Sequence, residues 1–198
     1  NVDSLEVAWT YRTNAGGSFK ATPLQIGELL YVCAAGNRVI ALDADNGELR
    51  WQFDPLIDPE HLEFLRYFTT GCRGVSYFEA PEDYQGECQQ RILTATTDAR
   101  LIAIDALSGA RCSQFGDQGE VDLTTSMGND PRIFNFQTSP PGIVRGNAVV
   151  GGWVFDNQSV GEPSGVVRAF DALSGEFVWA WDMGRPGVNT QPLRGEVY

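Results

Sequence analysis

VIALDADNGELRWQF, residues 39–53, recurs twice more in this chain, as LIAIDALSGARCSQF at 101–115 and as VVRAFDALSGEFVWAW at 166–181. An internal repeat fixes the architecture on which any site must be built. Each copy reads as strand, turn, strand. The first strand is apolar and ends in an Asp (Asp43, Asp105, Asp171), and a Gly stands four residues further on in every copy (Gly47, Gly109, Gly175). Asp bonds its own backbone across a turn, and Gly accepts the positive φ that closes a short hairpin loop. Four and six residues after the Gly come Trp51 and Phe53, Ser113 and Phe115, Trp179 and Trp181. Side chains at period two share one sheet face. A weaker fourth copy of the second strand opens the chain at Leu5 to Tyr11, with Trp9 and Tyr11 in the aromatic places.

The fold class is therefore all-β, a partial β-propeller of about three four-stranded blades with long loop insertions. Three units do not close a ring, since propellers usually have roughly four to eight blades. The copies lie 62 and 66 residues apart, well beyond the roughly 40 to 45 of a minimal blade. The expected organisation is one incomplete propeller domain over 1–198, with inserts at 54–90 and 116–137. The first insert contains a short helical stretch, Pro59 to Phe68, with Leu62, Leu65 and Phe68 on one face. It then enters the tight run Gly71-Cys72-Arg73-Gly74-Val75-Ser76-Tyr77. The second insert, rich in Gly, Asp, Asn and Thr, reads as an irregular loop leading into Thr138-Ser139-Pro140-Pro141. A strand at Asn147 to Val150 follows, then a loop holding Trp153, Asp156 and Asn157.

Composition agrees with a soluble β protein: 198 residues, 42% hydrophobic and 11% aromatic, with 22 Gly. No stretch reaches the roughly 18 to 20 apolar residues of a membrane-spanning helix, and Asn1-Val2-Asp3 does not read as a secretory leader. A net charge of −12 argues against nucleic acid as a partner, because phosphates would be repelled. The sole histidine, His61, reads as a solvated residue on the short helix. No base accompanies Ser76 or Ser139, which excludes a serine-hydrolase reading.

Four cysteines, Cys33, Cys72, Cys88 and Cys112, stand at spacings unlike a zinc motif. Cys88 precedes the strand RILTATT and Cys112 follows in the same repeat, so these two are expected to pair, leaving Cys33 with Cys72. Bridges imply an oxidising compartment such as the periplasm; the alternative is four reduced buried thiols.

With these motifs in view, the chain resembles the pyrroloquinoline quinone (PQQ)-dependent dehydrogenases, eight-bladed periplasmic propellers, and most of all the membrane-bound branch that oxidises glucose, quinate or polyols. The resemblance runs over essentially the whole chain. It is carried by Cys72 to Tyr77, by Thr138-Ser139-Pro140-Pro141, by Gly151-Gly152 followed by Asp156-Asn157, and by Ser164 to Asp171. It implies PQQ and a Ca²⁺ (or Mg²⁺) ion as cofactors. PQQ is a flat ortho-quinone with three carboxylates, so its site wants cations and hydroxyls at the rim and a metal at the reactive carbonyl. By the same resemblance, Arg73 would pair with a PQQ carboxylate, Thr138 would offer its hydroxyl to that rim, and Trp153 would stand beside it. Asp156 would ligate the metal, with Asn157 as its neighbour.

The implied reaction removes a hydride from an alcohol or hemiacetal carbon while a carboxylate takes the hydroxyl proton. That carboxylate is expected beyond Tyr198, so the catalytic set is not expected in this chain. The implied partners are a small sugar or polyol substrate, a membrane quinone as electron acceptor, and the remainder of the propeller or a second copy against the open edges. Glucose-specific members carry a His three residues before the Cys-Arg-Gly motif, where this chain has Thr69, so glucose specificity does not carry over. The alternative from another class is a non-enzymatic propeller scaffold for outer-membrane protein assembly. Such a scaffold needs the hairpins and aromatic faces but has no use for Arg73, Thr138 and Asp156. A third reading, a carbohydrate-binding module, would rest on an exposed Trp153.

Overall fold

The repeated Asp-to-Gly segment closes the same turn three times. In the computed structural model, which describes residues 2–16, 19–59, 72–125, 139–151 and 166–182, Asp43 Oδ1 accepts the amides of Asp45 and Asn46 at 3.0 and 3.1 Å. Asp105 Oδ1 does the same for Leu107 and Ser108 at 3.2 and 2.8 Å, and Asp171 Oδ1 for Leu173 and Ser174 at 2.9 and 2.8 Å. The glycine amide donates back to the Asp carbonyl in every copy. Gly47, Gly109 and Gly175 hold φ of 74°, 76° and 75°, a region that residues with a Cβ enter only at a cost.

These turns sit in three four-stranded antiparallel meanders. Blade 1 is β1 (Leu24–Ile26), β2 (Leu29–Cys33), β3 (Val39–Asp43) and β4 (Leu49–Phe53). Blade 2 is β5 (Ser76–Glu79), β6 (Gln90–Ala95), β7 (Arg100–Asp105) and β8 (Glu120–Asp122), and blade 3 is β9 (Gly142–Val144), β10 (Asn147–Val150), β11 (Val167–Asp171) and β12 (Phe177–Trp181). The central strands are apolar on both sides because both sides are covered. Val39 and Ala41 pack toward blade 2, while Ile40 and Leu42 pack under Trp9 and Tyr11. In β7, Ile102 and Ile104 meet blade 1, and Leu101 and Ala103 meet blade 3. The period of two thus builds a continuous core from blade to blade.

The tryptophans lock the joints. Trp51 lays its ring on Gly109, where a Cβ would come within 2.7 Å of the indole, and its Nε1 donates to the Ala106 carbonyl at 3.0 Å. Trp9 repeats this on Gly47 and Ala44, with an Nε1 bond of 3.1 Å. It does so from an extended segment, since residues 5–16 form no strand. Asn37, fully buried, adds a polar tie from blade 1 to blade 2: its side chain donates to Ala95 O at 3.3 Å and accepts from Thr97 N at 3.0 Å.

The second repeat departs from the expected strand, turn, strand. After its turn, Arg111 meets β7 only through one bridge to Ile104. The chain then bends through Cys112 to Phe115, passes Gly116 and Gly119 at φ 54° and 94°, and resumes pairing at β8. Cys112 is therefore not on a strand, and Ser113 and Phe115 do not share a sheet face: Ser113 is exposed, while Phe115 is buried between blades 2 and 3. β8 falls inside the stretch expected to be irregular. Glu120 draws it onto β7 by accepting from Arg100 at 3.0 Å and from Arg111. β5 likewise arises within the first expected insert. The helical stretch with His61 lies outside the described residues. Both expected disulfides are present, Cys33–Cys72 and Cys88–Cys112, each with Cα atoms 5.8 Å apart.

Candidate functional site

A four-stranded meander sends its connections to alternate ends. The first-to-second and third-to-fourth links of every blade leave one end, among them the tight Asp-to-Gly turns. Links from second to third strand, and from each blade to the next, leave the other end. The described residues of those links are 34–38, 54–59, 72–75, 96–99, 123–125, 139–141, 151 and 166, and every residue proposed to contact a cofactor or metal falls, in sequence, within one of these links. Long loops clustered at one end of a rigid scaffold are where binding residues tend to sit.

The described parts of these connections converge. The Arg73 carbonyl accepts the Thr22 amide at 2.9 Å, joining the approach to β5 to the approach to β1. Gly74, at φ 154°, packs against both: a Cβ there would lie 3.4 Å from Thr22 O and 3.7 Å from Pro140 Cγ. Ser76 donates its hydroxyl to the Pro141 carbonyl, and β5 lies beside β9. The Cys-Arg-Gly motif and the Ser-Pro-Pro motif, far apart in sequence, are therefore neighbours where the three first strands come together.

Within the Cys-Arg-Gly motif and the residue after it, Cys72, Gly74 and Val75 are buried and Arg73 is exposed. A guanidinium presented from a buried, clamped backbone can pair with a carboxylate in two-point geometry, while a Cβ at Gly74 would make only ordinary contact with Thr22 and Pro140, so the glycine there answers to its positive φ. Further along β5, burial and the Glu79 carboxylate push the Tyr77 phenol up, and its hydroxyl donates to Glu79 at 3.2 Å. Tyr77 is thus held neutral. Thr138, Trp153, Asp156 and Asn157 lie outside the described residues. Among the described residues no group of three His, Cys, Asp or Glu side chains could hold a metal. Sequence reasoning did not single out Thr22. The available signal is Pro23, which biases its predecessor to the extended backbone seen at strand entries.

Fold and site together define a propeller segment that presents an exposed arginine from an inter-blade connection at one end. The family model of the PQQ glucose/ethanol/alcohol dehydrogenase β-propeller domain matches residues 1–198. The chain is 39% identical to the glycerol dehydrogenase large subunit of Gluconobacter oxydans, over 100% of this chain and 27% of the relative. It is 38% identical to the quinoprotein glucose dehydrogenase of Escherichia coli, covering 97% and 25%. With the quinate/shikimate dehydrogenase (quinone) of Acinetobacter baylyi it shares 33%, covering 100% and 27%. Among solved structures, the quinohemoprotein alcohol dehydrogenase of Comamonas testosteroni superposes with a TM-score of 0.70 at 25% identity, over 92% of this chain and 23% of that one. The chain belongs to the PQQ-dependent dehydrogenase family. It spans about a quarter of the length of these relatives, and dehydrogenase relatives of this kind do not favour the scaffold alternative.

Proposed function

We propose that the protein carrying this chain is a periplasmic PQQ-dependent dehydrogenase that oxidises a sugar, a polyol or a cyclic hydroxy acid and passes electrons to a quinone. The observation that carries this reading is the meeting of Arg73 and Gly74 with Pro140 and Thr22 at the loop-bearing end of the blades. That is where a carboxylate-rich planar cofactor finds a fixed cation. When bound, PQQ supplies the two-electron acceptor that amino-acid side chains lack.

This chain's own residues bind and orient. Arg73 takes a cofactor carboxylate, Thr138 offers a hydroxyl, Trp153 borders the rim, and Asp156 with Asn157 supplies oxygen ligands to Ca²⁺ or Mg²⁺. Two disulfides support an oxidising compartment. Trp181 and Val178 are 46% and 45% exposed on β12, which supports a covering partner there, either further blades or a second copy. Taken alone, the chain supplies one wall of the site and is expected not to turn over substrate.

A calorimetric titration with PQQ, with and without Ca²⁺ and repeated on Asp156→Ala, tests the assignment. Calcium-dependent binding that is lost in the variant is the expected result. Equal binding by the variant would remove Asp156 from the metal site, and absence of binding in the complete protein would overturn the reading.

A further inference from the structure

We propose that the Cys33–Cys72 disulfide is a positioning element for cofactor capture, acting through the backbone of Arg73. The inference rests on the PQQ reading above and adds to it a residue pair whose effect on affinity is separable from its effect on stability.

The two bridges occupy different ends of the blades. Cys88–Cys112 joins the link between β5 and β6 to the excursion after β7, at the end away from Arg73. Cys33–Cys72 joins the last residue of β2 in blade 1 to the residue immediately before Arg73 on the approach to blade 2. It is a covalent tie between neighbouring blades, placed next to the exposed Arg73. Both of its sulfurs belong to residues at most 2% exposed, packed in the core shared by the two blades.

Arg73 is thereby held from two sides. Cys72 fixes the residue before it, and the Thr22 amide fixes its own carbonyl. Beyond it, Gly74 rests on Thr22 and Pro140, and Val75 is buried. A long cationic side chain on a fixed backbone loses less freedom when it meets its anion than the same side chain on a loose loop. This is the logic by which outer contacts orient ligating groups.

The test uses the complete protein, PQQ with Ca²⁺, and affinity read by titration rather than by turnover. Replacing both cysteines (Cys33→Ala with Cys72→Ala) is expected to weaken PQQ binding up to about tenfold, the scale of ordering one flexible side chain. The control pair (Cys88→Ala with Cys112→Ala) is expected to leave affinity unchanged. In an Arg73→Ala background, removing Cys33–Cys72 is expected to cause no further loss, because the bridge acts through that arginine. An equal loss in both backgrounds, or no loss in either, overturns the proposal while leaving the PQQ reading intact. A native protein that binds no PQQ overturns both. Where the double cysteine variant does not accumulate as folded protein, Thr22→Pro removes the other clamp, the amide bonded to Arg73 O. The same Arg73-dependent loss is then expected, and its absence refutes the clamp.

Discussion

Where blade 1 meets blade 2, Trp51 covers Gly109 with its ring and donates its indole N–H to the Ala106 carbonyl at 3.0 Å. Where blade 2 meets blade 3, Ser113 stands at that repeat position, and the two tasks pass to separate parts. Arg91, 1% exposed on β6, donates to Ala172 O at 3.2 Å and Leu173 O at 2.9 Å. Gly175 is covered by backbone, with Gly116 N 2.8 Å from where a Cβ would be and donating to Ser174 O. Arg91 is kept in place from behind by the carbonyls of Cys88 and Glu87, each at 3.1 Å, and by the Tyr84 ring and hydroxyl. The comparison separates the demand from the device. Each Asp-to-Gly turn presents an Ala carbonyl and a bare glycine that must be covered, and an indole does both at once. Without the indole, a buried cation, a disulfide-tied excursion and a backbone contact share the work.

The largest test of that division is Arg91→Met. The methionine refills much of the volume but leaves the Ala172, Leu173, Cys88 and Glu87 carbonyls without their donor, and stability should fall by about 3 kcal/mol or more. The loss is expected to open blade 3 first, seen as faster hydrogen exchange in β11 than in β3. Uniform acceleration across all three blades would show that the joint is not a separate unit.

A smaller and more discriminating effect compares the two covered glycines. Gly109→Ala and Gly175→Ala should each cost at least about 2 kcal/mol, from the positive φ and the crowding together. The obstacle at Gly109 is a side chain, so adding Trp51→Leu should recover part of the loss as a favourable coupling of about 1 kcal/mol. At Gly175, trimming the nearby side chain with Val121→Ala should recover little, because Gly116 N remains in the way. Equal coupling at the two sites would erase the distinction between side-chain and backbone cover.

The same contrast explains which parts of the fold could be read beforehand. The three turns were legible because each is local, an Asp and a Gly four residues on; of the Trp51 joint only the indole's place in the repeat was legible, since the carbonyl it bonds lies 55 residues away. Arg91 was not, because an arginine in a strand reads as a solvated charge, and its partners lie 81 and 82 residues away. β5 and β8 are short strands of four and three residues without the repeat's signature; pairing with β6 and β7, and the Glu120 ion pairs, decide them. At the site, Arg73 was legible only through its motif. The Thr22 clamp is a backbone amide contact between blades, and no side chain announces it.

The smallest expected effect concerns pH and belongs to the Trp joint alone. Tyr31 donates to the same Ala106 carbonyl as Trp51, at 3.1 Å. Burial first, then Tyr77 and Asp105, push its phenol from 10.0 up to about 12. The folded state therefore holds the proton more tightly than the unfolded chain does. The stabilisation is fully present below pH 10 and is lost as pH rises from about 10 to 12, because the unfolded chain ionises first. Tyr31→Phe should be less stable at pH 8, yet its stability should fall less steeply over that interval, as followed by denaturation at a series of pH values. Hydrogen exchange should place the difference in β3 and β7, at the joint of blades 1 and 2. Parallel decline of the two proteins would show that the hydrogen bond from Tyr31 to Ala106 does not report on that joint.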